Sequence, residues 1–111
     1  MSAELERDDP LVIYSSDDYS TSSAWVEHLM LVRTHAGFRL RQVRTEGSDT
    51  GIVFESDEFV DGLGFWAAYD ENTMYGGMDD DQLVFDKIGL INTYAPILAD
   101  GVAAEFRRRS E

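Results

Sequence analysis

The stretch FRLRQVRTEGSDTGIVFE, residues 38–55, decides the fold. Phe38-Arg39-Leu40-Arg41 alternates apolar and charged side chains one by one, the two-residue period of a half-buried strand. Phe38 and Leu40 then face a core, and Arg39 and Arg41 share the opposite face. Val43 falls out of phase, which marks a bulge or a strand end. Gly47-Ser48-Asp49-Thr50-Gly51 is a turn-rich connector, and Ile52-Val53-Phe54-Glu55 is a second β-type run. The pair reads as a hairpin.

Working outward toward the N-terminus, residues 24–35 predict a helix that Ala36-Gly37 stops. Trp25, Leu29 and Val32 recur at i, i+4 and i+7, with Val26 and Met30 alongside, a stripe of helical period. Ser23 is the expected N-cap at the end of the Ser/Asp-rich loop SSDDYSTSS, and Gly37 the expected left-handed C′ residue. A strand over part of this segment is the competing reading, because Leu29–Val32 is apolar at every position. Leu11-Val12-Ile13-Tyr14 reads as a short buried strand. Residues 1–10 read as a loose acidic arm ending in Asp9-Pro10.

Toward the C-terminus, Asp61-Gly62-Leu63-Gly64 reads as a break. Phe65-Trp66-Ala67-Ala68-Tyr69 then reads as a buried strand that Asp70-Glu71-Asn72 turns back into Thr73-Met74-Tyr75, a second hairpin closed by Gly76-Gly77. Asp79, with Gln82 three residues on, is placed to cap a helix carrying Val84, Ile88 and Ile91 on one side. Pro96 ends or kinks that helix near Ala95. A last helix shows Leu98, Val102 and Phe106 on one side, with Asp100-Gly101 a point where it could break. The expectation is a single α+β domain over residues 11–109: an antiparallel sheet of four to five strands with two hairpins, one helix after the first strand, and two C-terminal helices on one face.

The chain has 111 residues, no cysteine, and a net charge of −13 from 22 acidic and 9 basic side chains. Without cysteine there is no disulfide framework, thiolate metal site or cysteine nucleophile. No basic segment followed by an apolar run opens the chain, and no apolar run approaches the ~20 residues of a membrane helix, so neither a secretion signal nor a membrane partner is expected. Acidity of this size opposes direct binding to nucleic acid or anionic lipid and favours a cationic partner. Eight of the nine basic residues are arginine, and Asp outnumbers Glu by 13 to 9. That balance suits a salt-rich environment in which carboxylates hold water and self-repulsion is screened.

Residues 33–45 reverse the sign of their surroundings, at +4 between flanks of −6 and −12. Arg33, Arg39, Arg41 and Arg44 are therefore candidate partner contacts, set against ordinary cross-strand pairing with Glu55, Asp57 or Glu58. Arg107, Arg108 and Arg109 form a second candidate patch, set against stabilisation of a helix C-terminus by cations. No catalytic, cofactor-binding or metal-binding residue emerges. Asp70–Gly76 begins like a calcium loop and fails at Met74, and His28 and His35 lack a third convergent ligand. The glycines fit no phosphate or dinucleotide fingerprint. Trp25, Phe65, Trp66 and Tyr69 suit a core better than a ligand pocket.

The sequence thus favours a non-enzymatic, salt-adapted subunit of a larger protein assembly, by self-association or with other subunits. It would sit in the cytoplasm or in a virion, for instance as a small connector in a virus of a salt-loving host. The alternative is an acidic inhibitor of a basic partner, such as an immunity protein against a toxin or a DNA mimic directed at a defence system. A small enzyme is the third reading.

Overall fold

A computed structural model describes residues 10–15, 25–73 and 80–111. Four antiparallel strands lie in chain order, β1 (Leu11–Ser15), β2 (Val26–Arg33), β3 (Phe38–Glu46) and β4 (Asp49–Glu55). Four helices follow: α1 (Gly62–Thr73), α2 (Asp81–Asp86), α3 (Ile88–Tyr94) and α4 (Pro96–Arg109). The α+β class and the sheet with helices on one face hold. The expected arm, apart from Pro10, lies outside the described residues, as do Ser23, Met74–Gly77 and Asp79.

The β3–β4 hairpin forms as its sequence dictates, with a tighter turn than the connector suggested. Glu46 pairs with Asp49, so only Gly47-Ser48 turns the chain. Gly47 has φ 61°, the left-handed value required of the first central residue in a two-residue hairpin turn with Gly at that place. Gln42 pairs with Phe54 and Val43 with Ile52. Val53 is thus the extra residue of a bulge in β4, while Val43 keeps its place in the alternation of β3 and is simply an apolar residue on the open face.

The predicted helix from Ala24 is corrected: Val26–Arg33 is a strand. It pairs with β1 on one side and β3 on the other, Leu31 standing between Leu11 and Leu40. Leu29 and Leu31 are fully buried while Met30 and Val32 keep some exposure. A central strand can use apolar residues on both faces, so an unbroken apolar run suits it. Leu29 and Val32, which share a stripe in a helix, lie on opposite faces here. Gly37 is accordingly no helix cap. It sits in the β2–β3 turn, its amide donating to Thr34 Oγ1 at 3.0 Å and its carbonyl accepting from the Thr34 amide at 2.8 Å.

The second predicted hairpin is also corrected, because Phe65–Tyr69 and Thr73 belong to α1. The buried residues Gly62, Phe65, Trp66, Tyr69 and Asn72 fall at i, i+3, i+4, i+7 and i+10, the spacing of one helical face. The Asp61 carboxylate accepts the Gly64 amide at 2.8 Å, and the Asp61 carbonyl accepts the Phe65 amide at 3.0 Å, which starts the helix. Gly62, read as part of a break, is a contact residue instead. A Cβ there would stand 2.4 Å from the Gly101 carbonyl carbon. α4 likewise runs through Gly101 without a break, since two glycines let the backbones of α1 and α4 approach.

The single helix expected after Asp79 is two. Asp80 caps α2, accepting the Gln82 amide at 3.0 Å, and Lys87 separates α2 from α3. Pro96 opens α4 after Ala95, as its missing amide favours. Between sheet and helices lie Ile13, Leu29, Leu31, Leu40, Ile91 and Leu98, all at 0% exposure. Phe59, Phe65, Trp66 and Tyr69 form a chain of edge-on rings with centroids 5.3 to 6.0 Å apart. Trp66 Nε1 donates to the Val102 carbonyl at 3.0 Å, satisfying the one polar atom of that ring.

Candidate interaction surface

Strand alternation divides the sheet into two unlike faces. On the face under the helices stand Leu29, Leu31, Phe38, Leu40 and Gln42, all buried. On the other face, register places Val12 beside Met30, Met30 beside Arg41, Val32 beside Arg39, Arg41 beside Glu55 and Val43 beside Ile52. None of these residues is buried; Val12 is 38% exposed and Ile52 57%. The open face is therefore an apolar strip of Val12, Met30, Val32, Val43 and Ile52 crossed by two arginines, one histidine (His28, beside Val43) and one glutamate.

The arginines of the basic segment are held by the fold. Arg41 Nη2 lies 2.6 Å from Glu55 Oε2, its cross-strand neighbour. Arg39 Nη1 donates to the Ser56 carbonyl at 2.8 Å. Arg33 bonds the Tyr94 carbonyl, and its guanidinium lies 4.5 Å from the centre of the Tyr94 ring, so it fastens the end of α3 to β2. Arg44 lies on the covered side, 2.6 Å from Glu27 Oε2 and 4.9 Å from the Trp25 ring centre. Of the three acids named as pairing partners, Glu55 takes Arg41. Glu58 bonds Thr34 Oγ1, and that bond first, with the Ala36 amide and the charge of Arg39 behind it, draws its carboxyl below the usual range.

The C-terminal arginines divide in the same way. Arg109 makes two hydrogen bonds to Asp70, at 2.7 and 3.0 Å, reaches Glu105 at 3.1 Å and Asp81 at 3.5 Å, and stacks 4.3 Å from the Trp66 ring centre. It ties α4 to α1 and α2. Hydrogen bonding to Asp70, foremost, raises its pKa above the ordinary arginine value. Arg108 is engaged within its own helix by Glu105 at 2.5 Å. Arg107 is exposed and makes no ion pair among the described residues.

A polar ladder that the sequence reading missed crosses one end of the covered face. Asn72 Nδ2 donates to Gln42 Oε1 at 2.6 Å, Gln42 Nε2 donates to Glu27 Oε1 at 2.7 Å, and Glu27 takes Arg44. The available signal was Gln42, a polar residue in phase with Phe38 and Leu40 and thus at a core position. Trp25 stands at the outer end of this ladder, 42% exposed, while Phe65, Trp66 and Tyr69 join the core.

Three shallow clefts, of about 280, 330 and 400 Å³, adjoin one another along β4 and the chain that follows it. Val53 is shared by the largest and the middle cleft, and Asp57 and Glu71 by the middle and the smallest. Carboxylates line all three, including Glu46, Asp49, Asp57, Glu58 and Glu71. No group of three or more potential metal ligands converges among the described residues. His28 stands in β2 and His35 in the β2–β3 turn, Asp70–Thr73 of the suspected calcium loop is helical, and Asp80 is engaged as a cap. Among the described residues, no helix is long and apolar enough to cross a membrane. Comparison of the chain with protein families, with curated proteins and with solved structures finds no match.

Proposed function

We propose that this protein is a non-enzymatic, salt-adapted subunit of a protein assembly, and that a second copy of the chain covers the open face of its sheet. The observation that carries the reading is the open face itself: an apolar strip across four strands with two arginines against one glutamate, on a molecule of net charge −13. Like charge keeps copies apart wherever carboxylate meets carboxylate. Here the face is apolar and locally positive, so repulsion between two copies is least. Face-to-face packing of two sheets about 10 Å apart is an ordinary way to bury such a strip. Molar salt shortens the Debye length to about 3 Å and removes the long-range repulsion that remains.

The test is molecular size by light scattering, with circular dichroism, in low salt and in molar KCl. The reading expects a folded species whose mass doubles or rises further at high salt. A folded monomer under both conditions would contradict it. That outcome would favour the second reading, an acidic inhibitor of a basic partner. One observation supports this second reading: most candidate arginines are paired within the fold, leaving exposed carboxylates to set the character of the surface.

A further inference from the structure

We propose that the outer edge of β4 is a docking site for a basic, extended segment of another protein, which joins the sheet as a fifth strand. This rests on the reading of the chain as a protein-binding subunit and specifies the chemistry of a partner other than a second copy.

β4 is the last strand of the sheet, and no described residue pairs with its outer side. An edge strand presents every second N–H and C=O unpaired, which is the template used in strand addition. The opposite edge differs, because β1 packs against α2 and α3. Along β4 the side chains are unusually open, with Ile52 57% and Val53 47% exposed. Seven residues at ~3.3 Å each give a track of about 23 Å. The three adjoining clefts run along that track, and Ile52 and Val53 supply its apolar floor.

Charge selects the occupant. Residues 45–86 contain no lysine, arginine or histidine, and carboxylates rim the track from Glu46 and Asp49 at one end, where Arg44, paired with Glu27, is the one cation lining the clefts, to Asp57, Glu58 and Glu71 at the other. A second copy is a poor occupant of this edge. Two antiparallel β4 strands would bring Asp49 of one chain toward Glu55 of its partner, and like charges directly opposite destabilise a sheet. A strand alternating lysine or arginine with small apolar residues fits instead. Its cations meet the rim, its apolar side chains meet the floor, and its backbone meets the edge.

The probe is a fluorescein-labelled peptide of about ten residues alternating lysine with valine and threonine, a length matched to β4 and the clefts beyond it. Binding to the full chain is followed by anisotropy in ~50 mM and ~0.5 M KCl. Two further peptides carry N-methyl groups on alternate residues, one on each edge, with charge and side chains unchanged. Strand addition predicts saturable binding, weakened at the higher salt. It predicts a loss of about tenfold or more for one methylated peptide and little change for the other, because only one edge of the guest faces β4. The charge-reversed variants Asp57→Lys and Glu71→Lys, checked for folding by circular dichroism, should each bind several-fold more weakly.

Absence of binding would overturn the proposal. So would equal binding of both methylated peptides, which would mean charge condensation without an added strand, or equal binding of a peptide with glutamate in place of lysine. Such results leave untouched the salt-dependent mass that tests the subunit reading, so the two can fail separately.

Discussion

Along β3, Phe38, Leu40 and Gln42 lie beneath helices, while Arg39, Arg41 and Val43, each the next residue in the chain, lie on the open side. The covered side is filled by aliphatic and aromatic groups and, where the packed helices give out, by a ladder of hydrogen-bonded polar groups. The open side also carries apolar residues, but among the described residues no layer stands above them. One strand is thus core on one side and exposed apolar surface on the other. The difference lies in what stands opposite each face. For the same reason, hydrophobicity by itself does not separate the fold of this chain from its function.

The strongest way to break the comparison is to truncate one residue from each side. Leu40→Ala on the covered side should lower unfolding free energy by about 2–5 kcal/mol, since a buried leucine is replaced by a cavity. Val43→Ala on the open side should cost under ~1 kcal/mol. Urea denaturation of the two variants checks this, and equal losses would mean that both faces are covered within the monomer.

The polar ladder sharpens the same contrast at a smaller scale. Asn72→Leu should destabilise by about 1–3 kcal/mol because Gln42 Oε1 loses its donor in a buried place. Combining it with Gln42→Leu should recover part of that loss, and a double-mutant cycle reads the coupling. On the open side the corresponding polar contact is Arg41–Glu55, with side chains 30% and 33% exposed. Its coupling in a cycle of Arg41→Ala and Glu55→Ala should be only about 0.2–1 kcal/mol and should fade in molar salt.

The smallest expected effect is a pH dependence at the end of α4. Hydrogen bonding from Arg108, foremost, and from Arg109 holds the Glu105 carboxyl at about 2 against an ordinary 4.5. A carboxylate depressed in the folded state contributes stability above its unfolded value and loses that contribution as pH falls through the folded one. The contribution of Glu105 should therefore be complete above about pH 4.5 and disappear toward pH 2. Glu105→Gln should flatten the stability profile across that window, as thermal melts at successive pH values would reveal.

How much of this was legible in the sequence follows from which interactions are local. The β3–β4 hairpin is readable because alternation and turn residues lie within eighteen consecutive positions. The α+β class and the position of Pro96 at the head of α4 are readable for the same reason. β2 was misread because its identity depends on β1 and β3 flanking it, and an unbroken apolar run is silent about neighbours. α1 was misread because Gly62 and Gly64 look like punctuation and Phe65-Trp66 like strand. Gly62 is in fact where α1 meets Gly101, almost forty residues away. Among the candidate site residues, the sequence located the arginines but not their partners. Arg109 reaches Asp70, and Arg33 reaches Tyr94, across separations of 39 and 61 residues. Gln42 alone advertised itself, as a polar residue at a core position.

On the proposed function, copies of this chain meet through the open face of the sheet and through no other apolar exposure. Ile97, 70% exposed on α4, offers an equally apolar residue elsewhere on the surface. The decisive measurement is light scattering in molar KCl on three proteins: the natural chain, the open-face variant Val32→Asp with Ile52→Asp, and the control Ile97→Asp, each confirmed as folded by circular dichroism. The natural chain and the Ile97→Asp control should associate while the open-face variant stays monomeric. Association of the open-face variant to the same mass as the natural chain would contradict the proposed function.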